Sequence, residues 1–162
     1  MLYPLPEALT DPPRRRHAHH ALVLNRDGAV LLVETTGSGG LVLPGGNAER
    51  HELPHLAARR HAETLTGLVL PLRTLLAADH VDGRLLPETV HFVHWGGRLS
   101  SAQETVVARH RPPQHVLGVH WIHAARLSDV MPPDDHRRLA QARAALSRGT
   151  HLPFLLRGSP AE

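Results

Sequence analysis

Residues 43–68 have the sequence LPGGNAERHELPHLAARRHAETLTGL, in which a glycine pair separates a short apolar run from a helical segment. The glycine pair follows a proline, and this combination ends the preceding strand. Pro54 stands in the first turn of the helical segment, where a missing backbone N–H costs nothing. Gly67 is the expected stop, because glycine adopts the left-handed conformation without strain. The pattern predicts a strand, a glycine loop and a helix over residues 53–66.

Short strands and a second helix flank this segment. Two apolar runs, residues 21–24 and 29–33, are separated by an Asp-Gly turn and predict a β-hairpin. Residues 134–147 carry apolar side chains on one helical face and predict a second long helix. The polar, proline-containing segment 99–116 predicts a loop or an irregular strand. Short strands combined with two helices predict an α+β sandwich, in which helices cover a mixed sheet.

The chain has 162 residues, which is the length of one domain. Residues 1–16 are rich in proline and arginine, and we predict an extended N-terminal arm there. The folded domain is expected over residues 17–148, because the alternating apolar runs and helical segments lie within these limits. A C-terminal tail is expected over residues 149–162.

The composition excludes several classes of function. There are no cysteines, which excludes disulfide frameworks, cysteine-type zinc sites and thiol catalysis. No apolar run approaches the roughly 18 residues that cross a bilayer, and no secretory leader opens the chain. The net charge is only +3 and aromatic residues make up 3% of the chain, so stacking on bases is not favoured. We therefore expect a cytoplasmic protein with neither nucleic acid nor membrane as a partner.

The segment 43–68 resembles the signature of the Nudix hydrolase family, G-x5-E-x7-R-E-U-x-E-E-x-G-U, where U is an apolar residue. The Leu-Pro-Gly-Gly entry and the later strand around Trp121 are also similar to the family, so the resemblance extends over residues 17–148. It implies a Nudix-type α/β/α sandwich with a mixed sheet, and a hydrolase of nucleoside-diphosphate-like compounds. Of the nine defined positions, six match: Gly46, Glu52, Arg60, Ala62, Gly67 and Leu68.

The three positions that do not match are those where the family has glutamate. They hold His61, Thr64 and Leu65, which are spaced i, i+3 and i+4 and should face the cleft from one side of the helix. In the family, carboxylates of this box hold divalent cations that polarise a diphosphate and activate water. Leucine binds no metal, threonine is a weak neutral ligand, and imidazole suits magnesium poorly. We expect a divalent metal to be weakly bound or absent here.

Two acids remain in the first part of the box, before the helix. Glu49 and Glu52, together with His61, are the candidate ligands of a residual metal. The resemblance also implies that Arg60 orients an acid, and we predict an ion pair between Arg60 and Glu52. The candidate catalytic residues are Glu52, His61 and His115, because a neutral imidazole can act as general acid or base. His115 stands where many family members have a glutamate.

Substrate contacts are predicted from two groups of residues. The box contributes Gly45, Gly46 and Arg60, and the strands contribute His19 and His91. A second arrangement of these side chains stays open. Strand histidines together with the box imidazole could surround a soft metal such as zinc.

Three functions remain open at this point. The chain is a hydrolase with an atypical site, a catalytically inactive domain that binds a small ligand for regulation, or a metal-independent enzyme that uses histidine as acid and base. Each requires a small molecule as ligand or substrate. The resemblance also leaves a homodimer open.

Overall fold

A mixed β-sheet forms the centre of the structure, a computed structural model that describes residues 14–83, 87–153, 155–156 and 159–160. The strands are β1 (Arg15–Leu24), β2 (Val30–Thr35), β3 (Leu41–Val42), β4 (Gly45–Asn47), β5 (Thr74–Val81), β6 (Glu88–Arg98), β7 (Val116–Ile122), β8 (Leu152–Pro153), β9 (Leu155–Leu156) and β10 (Ser159–Pro160). The helices are α1 (Pro54–Thr66), α2 (Ser101–Arg109), α3 (Leu127–Val130) and α4 (Pro133–Arg148), with a 3-10 turn at Ala124–Arg126.

The strands follow the order β3-β2-β1-β6-β5-β8 across the sheet. β1 and β6 are parallel neighbours, whereas the other pairings are antiparallel. β4 pairs with the first half of β1, and β7 pairs with β2. The long pair β1–β6 therefore lies at the centre of the sheet, directly beside the strand that leads into α1.

Helices cover both faces of the sheet, as predicted. Alternate residues of β1 point to opposite faces, so Ala21 and Val23 lie in one core with Ala58 of α1. Leu22 lies in a second core with Leu139 of α4. Burying each large apolar side chain contributes about 1.5–3 kcal/mol, which fixes both helices on the sheet. The α/β/α sandwich with a mixed sheet is confirmed.

The helix predicted over residues 53–66 is confirmed as α1. Pro54 is in its first turn, and Gly67 ends it with a left-handed φ of 77°. The Gly67 N–H donates to the carbonyl of Glu63, which satisfies one of the free carbonyls of the last turn. The hairpin β1–β2 and the second long helix, α4, are confirmed as well.

The prediction of a loop or irregular strand over residues 99–116 is wrong, because nine of these residues form α2. The Ser100 side chain accepts from the Gln103 N–H, and the Gln103 side chain accepts from the Ser100 N–H. This capping box satisfies two free backbone donors and stabilises the helix start. The sequence signal was present as a serine followed three residues later by glutamine.

The paired strands extend past both predicted limits of the domain. β1 begins at Arg15, whose side chain forms an ion pair with Glu88 at the start of β6. Residues 1–13 of the predicted arm lie outside the described residues. At the other end, β8 lies within the predicted tail and pairs with the first two residues of β5.

Candidate functional site

The loop between β4 and α1 is held by one carboxylate. Glu52 Oε1 accepts from Arg60 Nε at 2.7 Å, and Glu52 Oε2 accepts from Arg60 Nη2 at 2.8 Å. The backbone N–H of Glu49 also donates to Glu52 Oε2, at 2.8 Å. The predicted ion pair between Glu52 and Arg60 is confirmed, and its two parallel bonds fasten the loop to the helix.

The charges of this pair are stabilised strongly. The hydrogen bond from Arg60, together with a smaller contribution from the backbone N–H of Glu49, lowers the pKa of Glu52 to about 2. The same hydrogen bond raises the pKa of Arg60 above its ordinary value. Glu52 is therefore ionised at neutral pH, with both oxygens already accepting hydrogen bonds.

His61 is the next residue of the helix and lies against the glycine loop. Its Nε2 donates to the carbonyl of Asn47 at 2.9 Å, since a carbonyl can only accept. A Cβ at Gly46 would come within 2.4 Å of the imidazole, so only glycine allows this contact. A Cβ at Gly45 would meet the His20 ring at 2.5 Å in the same way. Close packing thus explains both glycines, and their predicted substrate contacts stay a prediction.

Burial lowers the pKa of His61, although the hydrogen bond to Asn47 partly opposes the shift. Its imidazole is therefore neutral at neutral pH. With the proton on Nε2, the lone pair resides on Nδ1. The chemistry available at this position is that of a weak base, whereas the family signature has a carboxylate.

The other two replaced positions do not share an open cleft with the imidazole. Leu65 is buried with Val33 and Val116 in a small apolar cluster. Thr64 is exposed, and its backbone carbonyl accepts from His110 Nε2 at 2.9 Å. The expectation that all three replaced positions face the cleft is corrected for Leu65, which packs into the core against Val33 and Val116.

These side chains do not fit the magnesium site that the family signature implies. Both Glu52 oxygens accept from Arg60, and the exposed Glu49 carboxylate lies 3.7 Å from Arg60 Nη1. His61 uses Nε2 as a donor, so the predicted ligands Glu49, Glu52 and His61 do not converge on one point. In the described part of the chain, no group of three or more histidine and acidic side chains is arranged to hold a metal ion. The alternative of a soft metal among the strand histidines stays a prediction.

His19, a predicted substrate contact, is buried completely beneath α1. Its Nδ1 lies 3.1 Å from His94 Nε2, and its ring stacks on Phe92 with centroids 4.9 Å apart. Burial lowers the pKa of His19 to about 3 and that of His94 to about 4. The imidazole therefore belongs to the core in this structure, and the substrate contact of His19 stays a prediction.

His91, the second predicted strand contact, lies on the other side of the sheet. Its Nδ1 is 3.0 Å from Nε2 of His20, and the two rings stack. His20 follows His19 on β1, and successive strand residues point to opposite faces. Arg138 of α4 is among the charges that influence the pKa of His91, which burial lowers. His19 and His91 therefore lie on opposite faces of the sheet, and the substrate contact of His91 stays a prediction.

His115 stands just before β7 and is exposed. Its backbone carbonyl accepts from the Thr36 N–H at 3.0 Å. Within residues 14–83 and 87–153 its side chain forms no hydrogen bond. The structure therefore brings together Glu49, Glu52, Arg60 and His61, but it does not connect His115 with them by any contact.

The sequence of the whole domain matches one known family. The NUDIX domain family covers residues 13–145. The chain belongs to the Nudix family. A search of curated proteins gave no significant match.

Solved Nudix structures share this fold. A Nudix hydrolase from Nitrosomonas europaea is similar with a TM-score of 0.69 and 17% sequence identity, over 87% of this chain and 94% of that one. The MutT protein from Methanosarcina mazei Go1 gives a TM-score of 0.67 and 14% identity, over 85% and 96% of the two chains. The Nudix domain of Shewanella oneidensis NrtR, solved with ADP ribose, gives 0.65 and 20%, over 86% and 97%. At these identities the similarity demonstrates the fold alone.

A cavity of about 420 Å³ lies beside the second half of the Nudix helix α1. His110 connects the two, because it lines the cavity and also donates to Thr64. Val119 is another shared residue, since it packs against the cluster of Leu65. The described part of the chain contributes neither a carboxylate nor a guanidinium to the lining, which consists of Val107, Ala108, His110, Pro112, Gly118, Val119 and Trp121.

Sequence reasoning missed this cavity because half of its wall comes from α2 and the turn that follows, a region predicted as a loop. Trp121 was recognised only as a strand residue. A larger cavity of about 540 Å³ lies between β5 and α4, on the opposite face of the sheet from the Nudix helix. None of the described helices is long and apolar enough to cross a membrane.

Proposed function

We propose that this Nudix domain binds a small, nucleoside-diphosphate-like molecule and does not catalyse magnesium-dependent hydrolysis. One observation carries the proposal: the carboxylate of Glu52 accepts hydrogen bonds from Arg60 on both oxygens. A cation at this carboxylate would compete with two charge-assisted bonds, each contributing about 1.5–3 kcal/mol, and would lie beside the positive charge of Arg60. The neighbouring helix positions supply imidazole, hydroxyl and isobutyl groups, which magnesium does not favour. The proposed setting is the cytoplasm, as the composition predicts.

The cavity beside Trp121 is the proposed ligand site. Its volume of about 420 Å³ falls within the roughly 300–1,000 Å³ of small-molecule pockets. Its apolar walls suit a planar group such as a base, and an indole ring offers a face for stacking. The Nudix domain of NrtR was solved with ADP ribose, which supports ligand binding as a role for this fold.

A second candidate, metal-independent acid–base chemistry, is favoured by His61. Its neutral imidazole has one nitrogen fixed on the Asn47 carbonyl, which orients the ring. The other nitrogen keeps a lone pair that could accept a proton from a substrate. This candidate function would use the loop between β4 and α1, and it would be supported by measured turnover of a substrate.

Tryptophan fluorescence provides the test of binding. Trp121 lines the cavity, whereas Trp95 packs in the core on the α4 side of the sheet. We expect ADP ribose to change the fluorescence with equal affinity in EDTA and in magnesium. The change should disappear in Trp121→Phe and persist in the control Trp95→Phe. Binding that requires magnesium, or a change that survives Trp121→Phe, would contradict the proposal.

A product assay separates the two candidates. The ligand should be recovered intact after long incubation with the protein and magnesium. Turnover that persists in EDTA and is lost in His61→Gln would favour the metal-independent enzyme. Turnover that requires magnesium and is lost in Glu52→Gln would restore the ordinary Nudix mechanism.

A further inference from the structure

A second groove lies on the Nudix helix, away from the cavity beside Trp121. It runs between the first half of α1 and the segment that leads into β5, with a volume of about 210 Å³. We name it the arginine groove. It shares no residue with the ligand cavity and is lined by His55, Leu56, Arg59, Val69, Leu70, Pro71, Leu72 and Arg73.

Large apolar side chains are exposed at this groove. Leu56 is 43% exposed and Val69 is 53% exposed, and both line it. Leu53 is 44% exposed and lies one helical turn before Leu56. Six large apolar side chains are exposed among the described residues, and these three account for half of them. Single exposed residues are ordinary on protein surfaces, whereas a cluster indicates an interaction surface.

Two arginines give the groove a positive charge. Arg59 and Arg73 are exposed, and neither side chain forms a salt bridge or hydrogen bond within residues 14–83 and 87–153. The neighbouring Arg60, by contrast, is fully engaged with Glu52. Among the residues that the structure describes, no acidic side chain lines the groove and neutralises the two guanidinium groups.

We propose that the arginine groove is a docking site for an acidic, leucine-containing segment of a partner protein. Charge complementarity selects the occupant, since exposed guanidinium groups pair with carboxylates while the apolar floor accepts a leucine side chain. The groove is smaller than the roughly 300 Å³ at which small-molecule pockets begin, yet it has room for an apolar anchor. The proposal is independent of what the ligand cavity binds.

Two synthetic peptides test the chemistry. The first is an acetylated, amidated hexapeptide of leucine and glutamate, and the second has lysine in place of each glutamate. We expect the acidic peptide to bind the full chain at least about tenfold more tightly than the basic one. In ¹⁵N-resolved NMR spectra, the largest shifts should occur at Leu56 and Val69.

Substitutions connect the affinity to the groove. The double variant Arg59→Gln/Arg73→Gln should weaken the acidic peptide about tenfold or more. Arg148→Gln is the matched control, because Arg148 is an exposed arginine on α4. Equal affinities for both peptides, no binding of either, shifts outside the groove, or an unaffected double variant would each overturn the proposal. All three arginines are exposed, so the fold should tolerate the changes.

Discussion

Two pairs of polar side chains lie next to helix α1, and one pair is ionised whereas the other is neutral. The Glu52–Arg60 pair is charged, and its Arg60 side chain is 36% exposed at the edge of the loop. The His19–His94 pair is completely buried, with both imidazoles neutral and 3.1 Å apart. Burial lowers the pKa of both imidazoles from an ordinary value of 6.5, whereas Arg60 lowers that of Glu52 from an ordinary value of 4.5. Acid therefore destabilises the two pairs in different pH ranges, and the imidazole pair is affected at the higher pH.

The difference shows where this Nudix domain tolerates charge. At the loop, water and bidentate geometry stabilise two ions. In the sheet, the two neutral imidazoles lie within hydrogen-bond distance of each other at 3.1 Å, and burial disfavours a positive charge on either ring. Between the two pairs lies the helix face of His61 and Leu65, which carries no formal charge at neutral pH. Charged side chains are therefore present at the loop, where Glu52 and Arg60 hold it to the helix. They are missing from the helix face of His61 and Leu65, where the family signature has carboxylates that hold a cation.

Acidification should produce the largest effect. Burial lowers the pKa values of His19, His20 and His94 to about 3, 3 and 4, from an ordinary value near 6.5. The unfolded chain therefore binds more protons than the native state below about pH 6.5, so stability falls as pH falls and is full above that value. Three such groups lose about 6 kcal/mol between about pH 7 and pH 5, which approaches the whole stability of a typical domain.

Urea unfolding at several pH values measures this loss. The control is His123→Gln, which removes an imidazole whose side chain is not in either buried pair and should leave the slope unchanged. A free energy of unfolding that stays constant from about pH 7 to pH 5 would mean that the imidazoles are not held neutral in the native state.

Leu65→Glu should have the next largest effect, because it places a charge on the apolar side of α1. Leu65 is 5% exposed among apolar neighbours, so the carboxylate would have no partner. We expect a loss of at least about 3 kcal/mol in the free energy of unfolding. Thr64→Glu is the matched control at an exposed position and should change stability by less than about 0.5 kcal/mol. Equal tolerance of both would indicate that the helix face is open to water.

Glu52→Gln tests the charged pair itself. The amide keeps the size of the side chain but cannot accept both bonds from Arg60, so we expect a loss of about 2 kcal/mol. Glu63→Gln, at an exposed position on the same helix, should have almost no effect. If Glu52→Gln left the melting temperature unchanged but abolished an activity, Glu52 would be a catalytic residue and the ion pair would be incidental.

The smallest expected effect concerns strain in the same loop. His51 has a positive φ of 65°, a conformation that costs a residue with a side chain about 1 kcal/mol. His51→Gly should therefore stabilise the fold by about 0.5–1 kcal/mol. Arg50→Gly, one position earlier and without a positive φ, should be neutral or destabilising. Thermal unfolding of the two variants side by side decides the matter, and a destabilised His51→Gly would point to a function for the imidazole.

Local signals made much of the fold predictable. Pro54 and Gly67 set the limits of α1, and the Asp-Gly turn set the hairpin, because these residues act on their own backbone. The partition of His19 and His91 between two faces was not predictable in the same way. It depends on the parallel register of β1 and β6, which joins residues more than 70 positions apart in the chain. The burial of Leu65 likewise follows from its strand neighbours, which the helix pattern alone does not reveal.

Calorimetric titration of the full chain with magnesium, and then with manganese, tests most directly whether this Nudix box holds a cation. With Glu52 bound to Arg60 and no carboxylate on the helix face, we expect no saturable binding up to about 10 mM of either ion. Saturable binding at micromolar concentration, lost in Glu52→Gln and retained in Glu63→Gln, would contradict this expectation and show that the ion pair opens to form a metal site.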